Sequence, residues 1–138
     1  SSLQDDIVLS ARFRIIQGDD DEMRRIRKEK LIRRKESQPL EFSNAGSVFK
    51  NPRGDYAARL ITDAGLKGTK VGNAEVSEKH ANFIVCKEPA SSDDVLQVMR
   101  IVRDTIYKET HVLLEPEIRL IGFSDDVIAE FTGNPYAS

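Results

Sequence analysis

Residues 7–16 alternate. Ile7, Leu9, Ala11, Phe13 and Ile15 fall on one side, and Ser10, Arg12 and Arg14 on the other. That period of two predicts a half-buried strand. Gly18 and the acidic run Asp19-Asp20-Asp21-Glu22 then supply a turn and N-cap candidates, predicting a helix over about residues 20–36. Its apolar positions are Met23, Ile26, Leu31 and Ile32, a stripe narrow enough that the helix should lie mostly in water. Periodicity is lost over 37–44, with Pro39 as a breaker. The short apolar stretch 45–51 is closed by Pro52 and Gly54. Tyr56, Ala57, Leu60, Ile61 and Ala64 return to helical spacing, and Gly65 is the natural residue just past that helix. Residues 71–76 and 82–86 read as strands. Ser91-Ser92-Asp93-Asp94 resembles a capping box opening a long helix to about Thr110, its buried face being Val95, Val98, Val102 and Ile106. Short strands are expected over 112–114 and 118–121, around Pro116. The polar stretch beyond Phe123, with Gly133 and Pro135, is expected to fray.

These elements predict an α+β fold: a mixed sheet with helices packed mainly on one face. The chain has 138 residues, enough for one domain with a real core, and too few for a (β/α)₈ barrel. With 39% hydrophobic and 32% charged residues and a net charge of −2, it reads as globular rather than disordered. The single cysteine, Cys86, excludes an intramolecular disulfide and a cysteine-clustered zinc site, and reads as a small buried hydrophobe. No apolar run approaches the ~20 residues of a membrane span, so no membrane partner is expected. The acidic N-terminus lacks a secretory h-region. It also lacks an initiator Met, as expected of an excised or processed piece.

Several segments could carry chemistry. Every charged residue from Arg24 to Lys35 is basic except Glu29. Such a face is either solvated, with its charge offset by the flanking acids, or attracts phosphate from a nucleotide or a nucleic acid. Aromatic interleaving, which single-strand binding needs, is missing there, so nucleic acid is the weakest of these readings. In Ser43-Asn44-Ala45-Gly46-Ser47-Val48-Phe49-Lys50-Asn51-Pro52, small residues precede a hydroxyl, and a cation and an amide follow it. The Gly-x-Ser-x-Gly elbow of a hydrolase is absent, which leaves Ser47 as a proton donor or a cap. His80 and His111 stand alone, without a carboxylate pair at metal spacing, so no metal site is expected. Glu115 and Glu117 flank Pro116 on one face with Arg119, as solvated charges or as a functional carboxylate with a cationic partner.

Taken together and in order, these segments resemble the C-terminal domain of the UDP-N-acetylenolpyruvoylglucosamine reductases. The resemblance rests on Gln38-Pro39-Leu40, the 44–52 segment, Ala64-Gly65-Leu66-Lys67-Gly68, residues 76–85 from Val76-Ser77-Glu78-Lys79-His80 onward, and residues 114–122 around Glu115-Pro116-Glu117-Ile118-Arg119. It covers about residues 5–122. What it implies is a cytoplasmic (or plastid) flavoenzyme of peptidoglycan precursor synthesis. NADPH would reduce a bound FAD, which passes hydride to the enolpyruvyl ether of UDP-N-acetylglucosamine. Ser47 matches the family's proton donor, and Glu117 the glutamate that helps stabilise the enolic intermediate. Asn51 and Lys67 match contacts to the diphosphate, Lys35 falls near a basic position facing the site, and His80 near a polar substrate contact. Three residues between Pro52 and the Tyr56 helix leave no room for an inserted tyrosine-bearing loop, as in the family's second type. Asn73 and Cys86 depart from the usual Gly and Asn. On this view residues 1–16 are the last strand of, or the lead-in from, a missing FAD-binding domain, 17–123 form the substrate-binding domain, and 124–138 are a polar tail. The family's upstream arginine has no counterpart either, so the chain alone should be inactive. The rivals are a non-catalytic UDP-sugar-binding module and, behind it, a nucleic-acid-binding domain.

Overall fold

Apolar residues of the first segment stay in solvent, with Ile7 at 87% and Phe13 at 81% exposure. This is seen in a computed structural model that describes residue 7 and residues 9–133. The chain divides into two units, 1–32 and 33–138. In the first, the strand expected over 7–16 is not formed: residues 9–19 carry no ladder. Alternation creates one apolar face, but a strand exists only when another backbone takes its N–H and C=O groups, and none does so among these residues. Helix α1 (Asp20–Ser37) follows, with acidic residues in its first turn and Arg34 and Lys35 in its last. The Asp19 carboxylate accepts the Glu22 N–H at 2.8 Å, an N-cap bond. No residue of α1 is buried, as its narrow stripe foretold.

The second unit is an α+β sandwich. Strands β1 (Ser43–Asn44), β2 (Lys70–Val71), β3 (Ala74–Val76) and β4 (Ile84–Cys86) form one sheet in the order β1-β4-β3-β2. Every pairing is antiparallel, where a mixed sheet was expected. The reason is local. The stretch read as one strand over 71–76 is a hairpin, Val71 opposite Ala74, turning through Gly72-Asn73 with Gly72 at φ +53°. Two residues suffice to reverse a strand, whereas a parallel neighbour needs a long crossover.

Helix α2 (Ala57–Asp63) ends as its sequence predicts. Gly65 is left-handed at φ +68°, its N–H bonds Thr62 O at 3.0 Å, and the Leu66 N–H bonds Ile61 O at 3.1 Å. That pair of bonds is the Schellman closure. Helix α3 (Ser92–Thr110) opens on the expected capping box between Ser91 and Asp94. It buries Leu96, Val98, Met99, Val102 and Ile106 against β2 and β3, while Val95 is only half-buried. The core joins these residues to Val48, Phe49, Leu60, Ile61, Val76, Ile84 and Leu114.

Two further expectations change. No strands form over 112–114 or 118–121; one antiparallel bridge, Phe49 to Pro116, takes their place. Pro116 has no N–H to offer a further strand on its other edge. The described residues beyond Phe123, 124–133, do not fray, since Asp125–Thr132 is helix α4 and Phe131 is fully buried. Arg100 holds the Glu130 carboxylate through two bonds of 2.6 and 2.8 Å, and Arg103 donates to the carbonyls of Glu130 and Gly133. The polar composition of the segment hid its inner face, Val127 and Phe131, four residues apart. Residues 134–138 lie outside the described chain. No described helix is long and apolar enough to cross a membrane.

Candidate active site

Ser47 sits where the turn after β1 leads into the segment bridged to 115–117. The Asn44 side chain prepares the entry. Its Oδ1 accepts the Gly46 N–H at 3.0 Å, while its Nδ2 donates to the carbonyls of Phe42 at 2.8 Å and Pro39 at 3.2 Å. Gly46 then takes φ +84°, a left-handed conformation that costs other residues energy. The chain leaves this turn with Ser47 half-buried and Val48 and Phe49 fully buried.

The far side of the site comes from 115–117. The Glu117 N–H donates to Val48 O at 2.8 Å, and the Lys50 N–H donates to Glu115 O at 2.8 Å. These two bonds bracket the Phe49–Pro116 pair, so Pro116 occupies a position whose missing N–H breaks no bond of the bridge. Glu117 is thereby set opposite Val48, the neighbour of Ser47 on the bridged segment, and its side chain is exposed. Lys50 also pairs with the Glu115 carboxylate at 3.1 Å, both side chains largely in solvent.

Asn51 continues the Ser47 segment. Its Oδ1 accepts the N–H of Ala57 at 3.1 Å, at the start of α2, where Tyr56 makes no side-chain cap. The amide is therefore fixed, with Nδ2 as the donor that an anionic oxygen would meet. A cleft of about 180 Å³ lies here, lined by Lys50, Asn51, Pro52, Arg53, Leu113 and Glu115.

His80 and Lys67 lie close enough to sense each other. Burial pushes the His80 imidazole below its ordinary value, and the Lys67 ammonium pushes the same way. His80 Nδ1 accepts the Asn82 N–H at 3.3 Å, and the ring meets Phe83 edge-on at 4.7 Å. Lys67, half-buried, lies in the turn that follows α2. Lys35 is exposed in the last turn of α1. The structure thus brings Ser47, Glu117 and Asn51 onto two bridged segments and puts His80 within electrostatic range of Lys67, while Lys35 stands on a separate element.

One residue of the site went unread in the sequence. Asn82 is 5% exposed and its side chain grips the Phe49 backbone at both polar atoms. Its signal was there: an amide inside the apolar run Ala81-Asn82-Phe83-Ile84-Val85. Cys86 is half-buried rather than buried; burial, with Asp94, pushes its thiol up, so it stays protonated near neutral pH. Among the described residues no group of three His, Cys, Asp or Glu could hold a metal ion.

Residues 38–121 match the family model described as UDP-N-acetylenolpyruvoylglucosamine reductase, C-terminal domain. The chain is similar to the UDP-N-acetylenolpyruvoylglucosamine reductase of Agathobacter rectalis, 49% identical over 116 residues, which are 84% of this chain and 37% of that protein. It is 58% identical over 92 residues to UDP-N-acetylenolpyruvoylglucosamine reductase 2 of Symbiobacterium thermophilum, covering 67% of this chain and 30% of that protein. Among solved structures, UDP-N-acetylenolpyruvylglucosamine reductase from Thermus caldophilus superposes with a TM-score of 0.60 at 41% identity. That match covers 72% of this chain and 34% of the other. The chain spans about a third of the length of the curated relatives it matches.

Proposed function

The chain belongs to the UDP-N-acetylenolpyruvoylglucosamine reductase family, within its C-terminal domain, and from that premise we propose that it contributes substrate binding and the proton donor to such a reductase. The carrying observation is the bridge between 48–50 and 115–117, which sets the residues bearing a hydroxyl and a carboxyl group on adjoining segments. In this reading the whole enzyme is an NADPH- and FAD-dependent oxidoreductase of peptidoglycan precursor synthesis in the cytoplasm, acting on UDP-N-acetylglucosamine enolpyruvate. The cleft beside Asn51 falls well short of the roughly 300–1,000 Å³ that encloses a bound small molecule, so no residue here is assigned to the flavin dinucleotide. FAD is assigned to an N-terminal domain for which residues 1–16 are the lead-in.

When bound, the flavin supplies the hydride. The steps left to this chain concern one proton and one developing charge. After hydride reaches one carbon of the enolpyruvyl double bond, the other carbon carries carbanion character delocalised onto its carboxylate. Ser47 Oγ gives that carbon its proton, and solvent then reprotonates the hydroxyl. A hydroxyl suits the task because it delivers a proton from a fixed place while bringing no charge of its own. Glu117, on the bridged segment, is the hydrogen-bonding partner of the enolic intermediate. Asn51 Nδ2 and the Lys67 ammonium offer donors to the diphosphate, where charge-assisted bonds are strongest. Lys35 and His80 complete the substrate contacts.

The test is Ser47→Ala in the complete reductase, with the two half-reactions followed separately by flavin absorbance. Oxidation of reduced flavin by substrate should slow by about 10²–10⁴-fold, the usual worth of a positioned acid, while reduction by NADPH stays within twofold. Equal loss in both halves overturns the reading.

A further inference from the structure

Phe49 has a backbone problem that Pro116 cannot solve. In the bridge between their segments, the hydrogen bonds are made by the neighbours, Lys50 to Glu115 and Glu117 to Val48. Phe49 and Pro116 form the pair that exchanges none, so the N–H and C=O of Phe49 point away from the 115–117 segment. Phe49 is 1% exposed, and either group left there without a partner would carry its desolvation cost uncompensated.

Asn82 takes both. Its Oδ1 accepts the Phe49 N–H at 2.9 Å, and its Nδ2 donates to Phe49 O at 2.7 Å. A primary amide is the side chain that offers an acceptor and a donor side by side in one plane, matching the two groups of a single extended residue. It stands in for a missing strand. The Asn82 backbone adds a third bond, its carbonyl accepting the Val48 N–H at 2.9 Å. Asn82 is itself held, since its own N–H is donated to His80 Nδ1 at 3.3 Å.

The Ser47 segment is therefore fixed on both edges, by 115–117 on one and by Asn82 on the other. We infer that Asn82 is a positioning residue for proton delivery: its amide sets the register and depth of residues 48–49, and through them the place of the Ser47 hydroxyl relative to the substrate carbon. This rests on the reading of Ser47 as proton donor. Proton transfer to carbon is sensitive to such placement, and a shift of about 1 Å can cost on the order of 10²-fold.

Asn82→Asp keeps an acceptor for the Phe49 N–H and removes the donor to Phe49 O; Asn82→Ser keeps a polar group too short to span both, and buries no charge. Both are made in the complete reductase, alone and combined with Ser47→Ala. Each single variant should slow flavin oxidation by substrate by about 10–100-fold, with the substrate KM and the NADPH half-reaction within threefold of the parent. Added to Ser47→Ala, each should slow that half-reaction no further, because the positioned group is already gone. Amide exchange at Phe49 should rise more in Asn82→Ser than in Asn82→Asp, which keeps the acceptor. If either folded variant keeps the parent rate, or if the losses multiply in the double variants, Asn82 does not act through Ser47 and the inference fails. If Ser47→Ala alone leaves the substrate half-reaction unchanged, it is the proton-donor reading that has failed. Should Asn82→Asp not fold, Asn82→Ser carries the same comparison.

Discussion

Glu117 donates its backbone N–H to the carbonyl of Val48 at 2.8 Å, so the bond that docks 115–117 beside Ser47 does not involve the Glu117 side chain. Structure and proposed chemistry are separable at this residue. Glu117→Gln should leave the bridge and the thermal midpoint of the chain unchanged within about 2 °C, since exposed substitutions away from buried networks are nearly neutral. In the complete reductase it should slow flavin oxidation by substrate by about 10²–10³-fold, the range for losing one group that meets developing charge. A large drop in the midpoint would make Glu117 a structural residue instead. An unchanged half-reaction would remove it from the site.

Phe131 anchors α4. It is fully buried, with the guanidinium groups of Arg100 and Arg103 at 5.6 and 5.8 Å from its ring centre. Phe131→Ala should destabilise the chain by about 3–5 kcal/mol, read from its denaturant midpoint. Neutral behaviour would mean that α4 packs too loosely to belong to the core.

The two ends of this domain show what a local pattern can and cannot reveal. The capping box at Ser91 and the turn at Gly65 were legible because each is settled within a handful of neighbouring residues. Residues 7–16 carry a strand's alternation, yet a strand is a relationship with another backbone, and alternation does not name one. The hairpin over 70–76 went unseen because apolar residues continue through the turn; its marker was the dipeptide Gly72-Asn73. α4 was lost behind its acids. At the site, the residue types were readable from Ser47 and Glu117, which lie far apart in sequence. What joins them is a non-local bridge around a proline, and the Asn82 side chain behind it, neither of which any window along the chain contains.

His80 gives the site a pH dependence with a definite sign. Burial and Lys67 hold its folded pKa below the ordinary 6.5, so between those two values the unfolded chain binds more protons than the folded one. Stability therefore rises with pH through that window and levels off above about 6.5. Lowering the pH from 8 to 5 should cost the parent chain more stability than it costs His80→Gln, measured as urea midpoints. Parallel curves would mean that His80 titrates as it does in the unfolded chain.

Gly72 couples the hairpin to the start of α3. A Cβ at this position would stand 2.5 Å from Asp94 Oδ2 and 2.6 Å from its carboxyl carbon. Asp94 Oδ2 accepts the Ser91 N–H at 3.1 Å, one half of the capping box, while the Asp94 N–H bonds Ser91 Oγ at 3.0 Å. Gly72→Ala therefore does two things: it imposes left-handed strain of about 1–2 kcal/mol, and it drives Asp94 off the cap, worth about 1 kcal/mol more. In an Asp94→Ala background the second loss is already taken, and the three carboxylate atoms nearest the added methyl are gone. The cost of Gly72→Ala should fall there to the strain alone, giving a coupling of about 1 kcal/mol in a double-mutant cycle read by denaturant unfolding. Additive losses would show that the turn and the cap are independent, and that Asp94 swings aside without giving up its bond to Ser91.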